Sequence, residues 1–174
     1  MFETKCQKYE SLPEIMVDGK HSFVFLEHCH NYIQWLFPLN EQSTFNVDAP
    51  ILTEEDIALF SNSFFLKHRL YESFQMMINF YGFEMDFDNK IVLSVDWAAN
   101  HWLKPNDHNF LRITRILKSL TLLGLKEVAD SFLEALKSLK QECLFPINKL
   151  SNNTILTPKV WDFWESAVEV NYEK

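Results

Sequence analysis

Glycine, cysteine and arginine are all scarce in this chain of 174 residues, which contains three of each. β-Sandwiches and β-barrels need many tight turns, so three Gly and six Pro favour helices instead. The cysteine count is odd and no Cys-x-x-Cys occurs, which argues against a disulfide framework and predicts reduced thiols. We therefore expect an all-α protein of a reducing compartment, and we predict that it is cytoplasmic.

Several functional classes lack support in the sequence. A transmembrane helix needs about 18 consecutive apolar residues, and no such run occurs. The first residues also lack the long apolar region that is typical of a signal peptide. A net charge of −8 disfavours a duplex-binding surface, so nucleic acid is not an expected partner. No Gly-rich phosphate loop, Gly-x-Ser-x-Gly or His-Glu-x-x-His occurs, so we predict no cofactor, and whether the protein is an enzyme stays open.

The apolar content is large enough for one well-packed domain. Hydrophobic residues make up 47% of the chain, and sixteen of them are Phe. No linker-like stretch interrupts residues 1–174, so we predict one compact helical bundle of roughly six to eight helices. The apolar periodicity predicts helices over residues 22–37, from 53 onward, 63–80, 94–103, 107–124, 125–142 and 158–169. A weak alternation predicts a short hairpin within residues 83–95.

Residues at the ends of these segments strengthen the helix predictions. Thr53 precedes three acidic residues, as an N-cap followed by a favourable first turn does. Pro38 is expected to stop the first helix. Gly82 and Gly124 suit helix C-terminal caps, and Asn106 or Asp107 is expected to cap the helix that ends at Gly124.

Two of the three arginines lie three residues apart in an apolar run, although the chain otherwise uses Lys. On a helix, Arg112 and Arg115 share a stripe with His108, beside an apolar face that we expect to comprise Leu111, Ile113, Ile116, Leu117 and Leu120. A guanidinium group offers a planar fork for carboxylate or phosphate that Lys does not replace. The pair is therefore either an anion-binding site or a set of internal bridges to Asp or Glu that joins helices.

Other polar and aromatic clusters are less specific. His28, Cys29 and His30 could begin a zinc site, but the two His would lie about 200° apart on a helix and no second ligand pair follows. We therefore predict no metal site. Five Trp and sixteen Phe could line a peptide groove, although core packing is the more common role of such residues.

Two longer stretches resemble the conserved domain of the opioid growth factor receptor family. The first is His-Asn-Tyr-Ile-Gln-Trp-Leu-Phe-Pro-Leu, residues 30–39. The second is His-Asn-Phe-Leu-Arg-Ile-Thr-Arg-Ile-Leu-Lys-Ser-Leu, residues 108–120, followed by Leu-Gly-Leu at 123–125. Between them, Asn-Phe-Tyr-Gly at 79–82 resembles the family's turn. The resemblance covers about residues 20–140, with a C-terminal loop and helix over residues 141–174.

The resemblance implies a receptor-like binding domain. Animal members of the family are receptors for an enkephalin pentapeptide that restrain cell proliferation, so we expect this chain to bind a peptide or protein segment. We also expect a short single-domain relative, and its Lys-, Asn- and Phe-leaning composition hints at a bacterial source. The Arg pair would take an anionic group such as a peptide C-terminus. The expected ligand-binding residues, from the two motifs, are His30, Gln34, Trp35, His108, Asn109, Arg112 and Arg115.

Two alternatives stay open at the level of sequence. A small-molecule anion-binding protein or enzyme would use the arginines as an anion clamp and His30 or His108 as the acid or base. In the other alternative, both motifs form a structural polar network, and the function resides on a surface that the sequence does not identify. Residues that a ligand can reach would favour the first alternative, and a buried, bridged Arg pair would favour the second.

Overall fold

A computed structural model describes residues 16–17, 20–21, 23–88, 90–95, 102, 107–141 and 158–169. The described part contains seven helices and two short antiparallel strand pairs, which confirms the prediction of a compact helical fold. In chain order the elements are β1 (Met16–Val17), β2 (Lys20–His21), α1 (Phe23–His28), α2 (Ile33–Leu36), α3 (Glu54–Asn62), α4 (Phe64–Phe80), β3 (Phe83–Met85), β4 (Ile91–Leu93), α5 (Asn109–Leu122), α6 (Lys126–Gln141) and α7 (Pro158–Val168).

Local residue chemistry accounts for most of the helix ends. The Thr53 hydroxyl accepts from the Asp56 N–H at 3.2 Å, and the Asp56 carboxylate accepts from the Thr53 N–H at 3.0 Å. This reciprocal capping box starts α3 where the sequence predicted an N-cap. The Ser63 hydroxyl caps α4 by accepting from the Leu66 N–H. Gly82 has a φ of 82° just beyond the end of α4, as predicted.

The predicted hairpin is present directly after α4. Strands β3 and β4 pair antiparallel, with Phe83 opposite Leu93 and Met85 opposite Ile91. The Asp86 carboxylate accepts from the N–H groups of Asp88 and Lys90, which closes the turn. The buried side chain of Phe83 points into the core, so the hairpin covers one end of the bundle.

Helix α5 is the centre of the bundle and packs against both α6 and α7. Its inner side buries Ile113, Ile116, Leu117 and Leu120 completely. Each fully buried aliphatic side chain of this size contributes roughly 1.5–3 kcal/mol relative to an exposed one. The predicted apolar face is right except for Leu111, which is 57% exposed. Successive helical residues are about 100° apart, so Leu111 lies about 200° from Ile113 and faces away from the buried side of α5.

One predicted helix is broken in the structure. The pattern predicted a continuous helix over residues 22–37, but α1 ends at His28 and α2 begins at Ile33. In an unbroken helix the Leu26 carbonyl would accept from residue 30, and the Cys29 carbonyl from residue 33. Both carbonyls accept from the buried Arg112 guanidinium instead. Charge-assisted hydrogen bonds of this kind are about twice as strong as neutral ones, and they replace the helical bonds.

The start of α5 differs slightly from the expectation. The residue before the helix is His108, whose side chain makes no capping bond. Asp107 nevertheless accepts from the Asn109 N–H at 2.8 Å, so its carboxylate still satisfies a first-turn N–H group. Asn106 and most of the predicted helix over 94–103 lie outside the described residues. None of the described helices has the length and apolarity needed to cross a membrane.

The turn between α5 and α6 requires a left-handed residue. Gly124 has a φ of 84°, and the Leu125 N–H donates to the Leu120 carbonyl at 2.8 Å, which is the outer bond of a Schellman motif. A Cβ atom at position 124 would lie 3.4 Å from the Ser61 Cα on α3. Gly124 therefore combines a strained backbone conformation with a close approach to a second helix.

We predict that Gly124→Ala lowers the free energy of unfolding by about 1–2 kcal/mol, because an L-residue is strained at positive φ. Chemical denaturation of the purified variant measures this cost. Gly124→Asn is the matched comparison and should cost less, since Asn tolerates the left-handed region better. Equal stability of the Ala variant and the wild type would contradict the assignment of a required left-handed turn.

Candidate functional site

The two motifs meet along one side of α5. A polar stripe on α5, defined by Asn109, Arg112, Arg115 and Ser119, faces the main chain of α1, α2 and the residues that follow α2. The stripe donates to four main-chain carbonyls: Leu26 and Cys29 from Arg112, Phe37 from Arg115, and Pro38 from Ser119. Carbonyls at helix ends have no partner within the helix, and here side chains from another helix supply the partners.

Arg112 is the most deeply buried of the charged residues in the stripe, with 5% of its surface exposed. Its Nη1 donates to the Leu26 carbonyl at 2.8 Å and to the Asn109 side chain at 3.1 Å, and its Nη2 donates to the Cys29 carbonyl at 2.8 Å. The guanidinium carbon lies 5.4 Å from the centre of the Tyr32 ring. Arg112 therefore bridges helices as one of the two alternatives expected, but its partners are main-chain oxygens and Asn109 in place of Asp or Glu. Lys cannot reproduce this planar, forked arrangement.

Tyr32 completes the surroundings of this buried charge. Its hydroxyl donates to the Leu26 carbonyl at 3.0 Å, so this oxygen accepts from both Tyr32 and Arg112. Burial raises the pKa of Tyr32 above its usual range, and the nearby Arg112 charge opposes the shift. Tyr32 therefore stays a neutral hydrogen-bond donor at physiological pH.

A cavity of about 460 Å³ lies beside the polar stripe. This volume falls within the usual range of small-ligand sites. One wall is the outer side of α5, another is α2, and a third is the loop of residues 39–45. The lining side chains are His30, Ile33, Gln34, Leu39, Glu41, Gln42, Ser43, Thr44, Phe45, His108, Leu111, Arg112, Thr114, Arg115 and Lys118.

Five of the seven residues predicted for the site line this cavity: His30, Gln34, His108, Arg112 and Arg115. The sequence alone could not bring the two motifs together, and the structure places the rings of His30 and His108 with their centres 4.9 Å apart. Asn109 is fully buried and bonds to Arg112 and to two carboxylates, and it does not line the cavity. Trp35, on α2, is half-buried and is also not part of the lining.

Two lining side chains have unusual environments. Gln34 is 4% exposed, and its side-chain carbonyl oxygen has no hydrogen-bond partner among the described residues. A buried acceptor without a partner costs about 1–3 kcal/mol, and because this oxygen has almost no exposed surface, a ligand donor reaches it only after the side chain turns toward the cavity. The pKa of His108 is lowered by burial and, second, by the Arg112 charge, with Asp107 and Glu27 opposing the shift. His108 is therefore neutral at pH 7.

Several lining residues were missed from the sequence. Lys118 lies within the second motif, one turn beyond Arg115 on the stripe side of α5, and helical spacing could have identified it. Phe45 lies in a loop, 79% exposed, and no local pattern connects that loop to α5. Glu27 and Asp107 meet His108 at the edge of the cavity, and these three are the described residues that could hold a metal ion.

Comparison with known proteins places this helical domain in a family. The family model for the opioid growth factor receptor conserved region matches residues 6–156, and the chain belongs to that family. This range is longer than the range 20–140 in which the quoted motifs lie. No solved structure matches the chain.

The matching relatives are animal proteins of much greater length. The opioid growth factor receptor of Rattus norvegicus is 39% identical over 120 residues, which cover 66% of this chain and 20% of the relative. The opioid growth factor receptor-like protein 1 of Xenopus tropicalis is 40% identical over 116 residues, 66% of this chain and 22% of the relative. The human opioid growth factor receptor is 37% identical over 120 residues, 66% of this chain and 17% of the relative. The aligned part thus spans about a fifth of each of these relatives.

We predict that Arg112→Lys lowers the free energy of unfolding by about 2 kcal/mol, because Lys keeps the charge but leaves at least one buried carbonyl without its donor. For a domain of this size, the melting temperature should fall by about 4–8 °C. Arg69→Lys is the matched control, since Arg69 forms an exposed pair with Glu72 and should change stability by no more than about 0.5 kcal/mol. Equal melting temperatures for the two variants would contradict a structural role for the Arg112 fork.

Proposed function

We propose that this domain binds a peptide or protein segment, and that its site is the cavity between α2, the loop of residues 39–45 and α5. The observation that carries the proposal is the combination of apolar and positively charged groups around one cavity. Phe45 and Leu111 are largely exposed side chains on its rim and offer apolar contact. A segment with an apolar side chain next to an anionic group would match both features.

The charge of the cavity differs in sign from that of the chain. Among the described residues, Arg112, Arg115 and Lys118 line it together with one acid, Glu41, in a chain of net charge −8. Arg112 contributes its charge but not a fork, because its guanidinium already bonds to main-chain oxygens. Lys118 pairs with Glu41 at 3.0 Å, and both side chains are exposed. Such a surface pair is worth at most about 1 kcal/mol, so a ligand carboxylate can replace Glu41.

Once its side chain turns toward the cavity, Gln34 favours a peptide over a simple anion as the ligand. Its side-chain oxygen is a buried acceptor without a partner among the described residues, so it needs a donor. The main chain of a peptide supplies N–H groups, whereas phosphate and small carboxylates at neutral pH are mainly acceptors. The alternative is a small-molecule anion-binding protein or enzyme, for which the contact between the rings of His30 and His108 is the supporting observation.

The family supports the same class of ligand. The relatives named opioid growth factor receptor are, by name, receptors for a growth factor, and the matched region includes both motifs around the cavity. The aligned part spans only about a fifth of those relatives. We therefore propose receptor activity for this domain and do not take it from the names of the relatives. We also propose a cytoplasmic location without nucleic acid as a partner, supported by the unpaired cysteine pattern and the acidic net charge.

We predict that the domain retains members of a library of short peptides when each has a free C-terminal carboxylate, and binds the same peptides at least about tenfold more weakly as C-terminal amides. Fluorescence anisotropy of the retained sequences measures the ratio. Lys118→Gln should remove most of the preference for the carboxylate, and Leu111→Ser should weaken both forms.

Two control variants make the result specific to the cavity. Lys126→Gln removes a cation from an exposed pair with Asp130, and Phe64→Ser removes an aromatic ring that is exposed on α4. Both controls should bind like the wild type. Binding that Lys118→Gln and Leu111→Ser leave intact would contradict the proposed site. Competition by inorganic phosphate with no peptide retained would favour the small-molecule alternative.

A further inference from the structure

Three metal-ligating side chains meet where α1 ends and α5 begins. Glu27 lies on α1, and Asp107 and His108 directly precede α5. One potential ligand atom from each lies within 4.8 Å of the other two. The Glu27 Oε2 atom is 3.9 Å from His108 Nε2, and the Asp107 Oδ1 atom is 3.7 Å from His108 Nδ1. These groups come from distant parts of the chain and are brought together only by the fold.

Asn109 holds the two carboxylates close together. Its side-chain Nδ2 donates to Glu27 Oε2 at 3.1 Å and to Asp107 Oδ1 at 2.8 Å. Its main-chain N–H also donates to Asp107 Oδ1. Asn109 is fully buried, and its own side-chain oxygen accepts from Arg112. Outer hydrogen bonds of this kind orient the carboxylates of metal sites, and here they are part of the rigid stripe on α5.

The charge in this cluster is not balanced by direct ion pairs. Among the described residues, neither Glu27 nor Asp107 pairs with a Lys or Arg side chain, and the basic side chain beside both carboxylates is His108. Arg112 lies behind Asn109 and offsets only one of the two negative charges. The His108 Nε2 atom is buried and has no hydrogen-bond partner in the described part of the chain. An imidazole nitrogen without a hydrogen-bond partner, next to two carboxylates, is available to bind a metal ion.

We propose that Glu27, Asp107 and His108 form a binding site for a divalent transition-metal ion of the zinc class. Imidazole is a preferred ligand of zinc and its neighbours, whereas Mg²⁺ and Ca²⁺ prefer oxygen ligands alone. Zinc lies about 2 Å from its ligand atoms, so tetrahedral ligand atoms are roughly 3–4 Å apart. Here one atom from each residue lies within 4.8 Å of the other two, and the two carboxylates approach different imidazole nitrogens, so both carboxylates would have to turn toward one nitrogen when the ion binds. Three protein ligands would leave one coordination position open, and one of the three, His108, also lines the cavity.

Titration calorimetry of the full chain, freed of metal with a chelator, tests the site with ZnCl₂ and with MgCl₂. We expect one equivalent of Zn²⁺ to bind, with a higher melting temperature in its presence, and no comparable binding of Mg²⁺. Glu27→Gln keeps the acceptor for Asn109 and removes a ligand charge. His108→Asn removes the imidazole. Each should weaken Zn²⁺ binding at least about tenfold, and thermal unfolding without metal shows whether each variant is folded.

The chain contains a matched control pair on its surface. His68 Nε2 lies 3.7 Å from Glu72 Oε1, a similar distance, but the pair is exposed on α4 and has no third ligand among the residues that the structure describes. His68→Asn and Glu72→Gln should therefore leave Zn²⁺ binding unchanged. If these two variants weakened binding as much as Glu27→Gln and His108→Asn do, the proposed assignment would be overturned.

Cysteine is the main competing ligand, because the chain has three thiols. Co²⁺ distinguishes the two cases, since thiolate ligands produce an intense sulfur-to-metal charge-transfer band and nitrogen and oxygen ligands do not. We expect Co²⁺ to bind without that band and to be displaced by Zn²⁺. The thiolate band, the absence of stoichiometric Zn²⁺ binding by the folded wild type, or equal affinity for Mg²⁺ would each overturn the proposal.

Discussion

The guanidinium of Arg112 is the interaction on which the arrangement of this domain depends. A buried charge is costly unless its donors are paired. Here the guanidinium donates to the carbonyls of Leu26 and Cys29 and to the side-chain oxygen of Asn109. The carbonyls of Leu26 and Cys29 are available because the helix predicted over residues 22–37 is broken between α1 and α2. The break and the buried arginine thus require each other. Without the arginine, two buried carbonyls would lack donors, and without the break, the guanidinium would lack those two acceptors.

The hydrogen bonds from the polar stripe on α5 explain why the two family motifs occur together in one chain. The first motif supplies the carbonyls of Phe37 and Pro38, and the residues just before it supply those of Leu26 and Cys29. The second motif supplies the donors at helical spacing on α5. Arg115 donates to the Phe37 carbonyl and Ser119 donates to the Pro38 carbonyl, as Arg112 does to its own carbonyls. With Asn109, the polar stripe extends along about three turns of α5. The hydrogen bonds of the polar stripe hold the helices together, and two of its members, Arg112 and Arg115, also line the cavity. A motif that builds the fold therefore also determines the shape and charge of the candidate site.

Much of the fold could be predicted from local residue chemistry. The capping box at Thr53, the left-handed glycines at positions 82 and 124 and the hairpin after α4 all depend on residues within a few positions of one another. The break after His28 could not be predicted, because no Pro or Gly marks it and the apolar period continues across it. It results from hydrogen bonds to α5, whose partners are more than 80 positions away in the chain. Leu111 was misplaced for a different reason, since it lies about 200° from Ile113 around the helix and the helical period by itself excludes it from the apolar face.

The sequence by itself determined the helical class, most of the helix ends, the family, and five of the residues that line the cavity. The helical class and the helix ends follow from side-chain spacing and from residue types that suit particular backbone conformations, whereas the family and the cavity residues came from the resemblance of the two motifs. The tertiary structure alone decided that Arg112 binds carbonyls, that His30 meets His108, and that Glu27 meets Asp107 and His108. Such contacts join residues far apart in the chain, and their free energy depends on burial and on charges that exist only after the helices have packed.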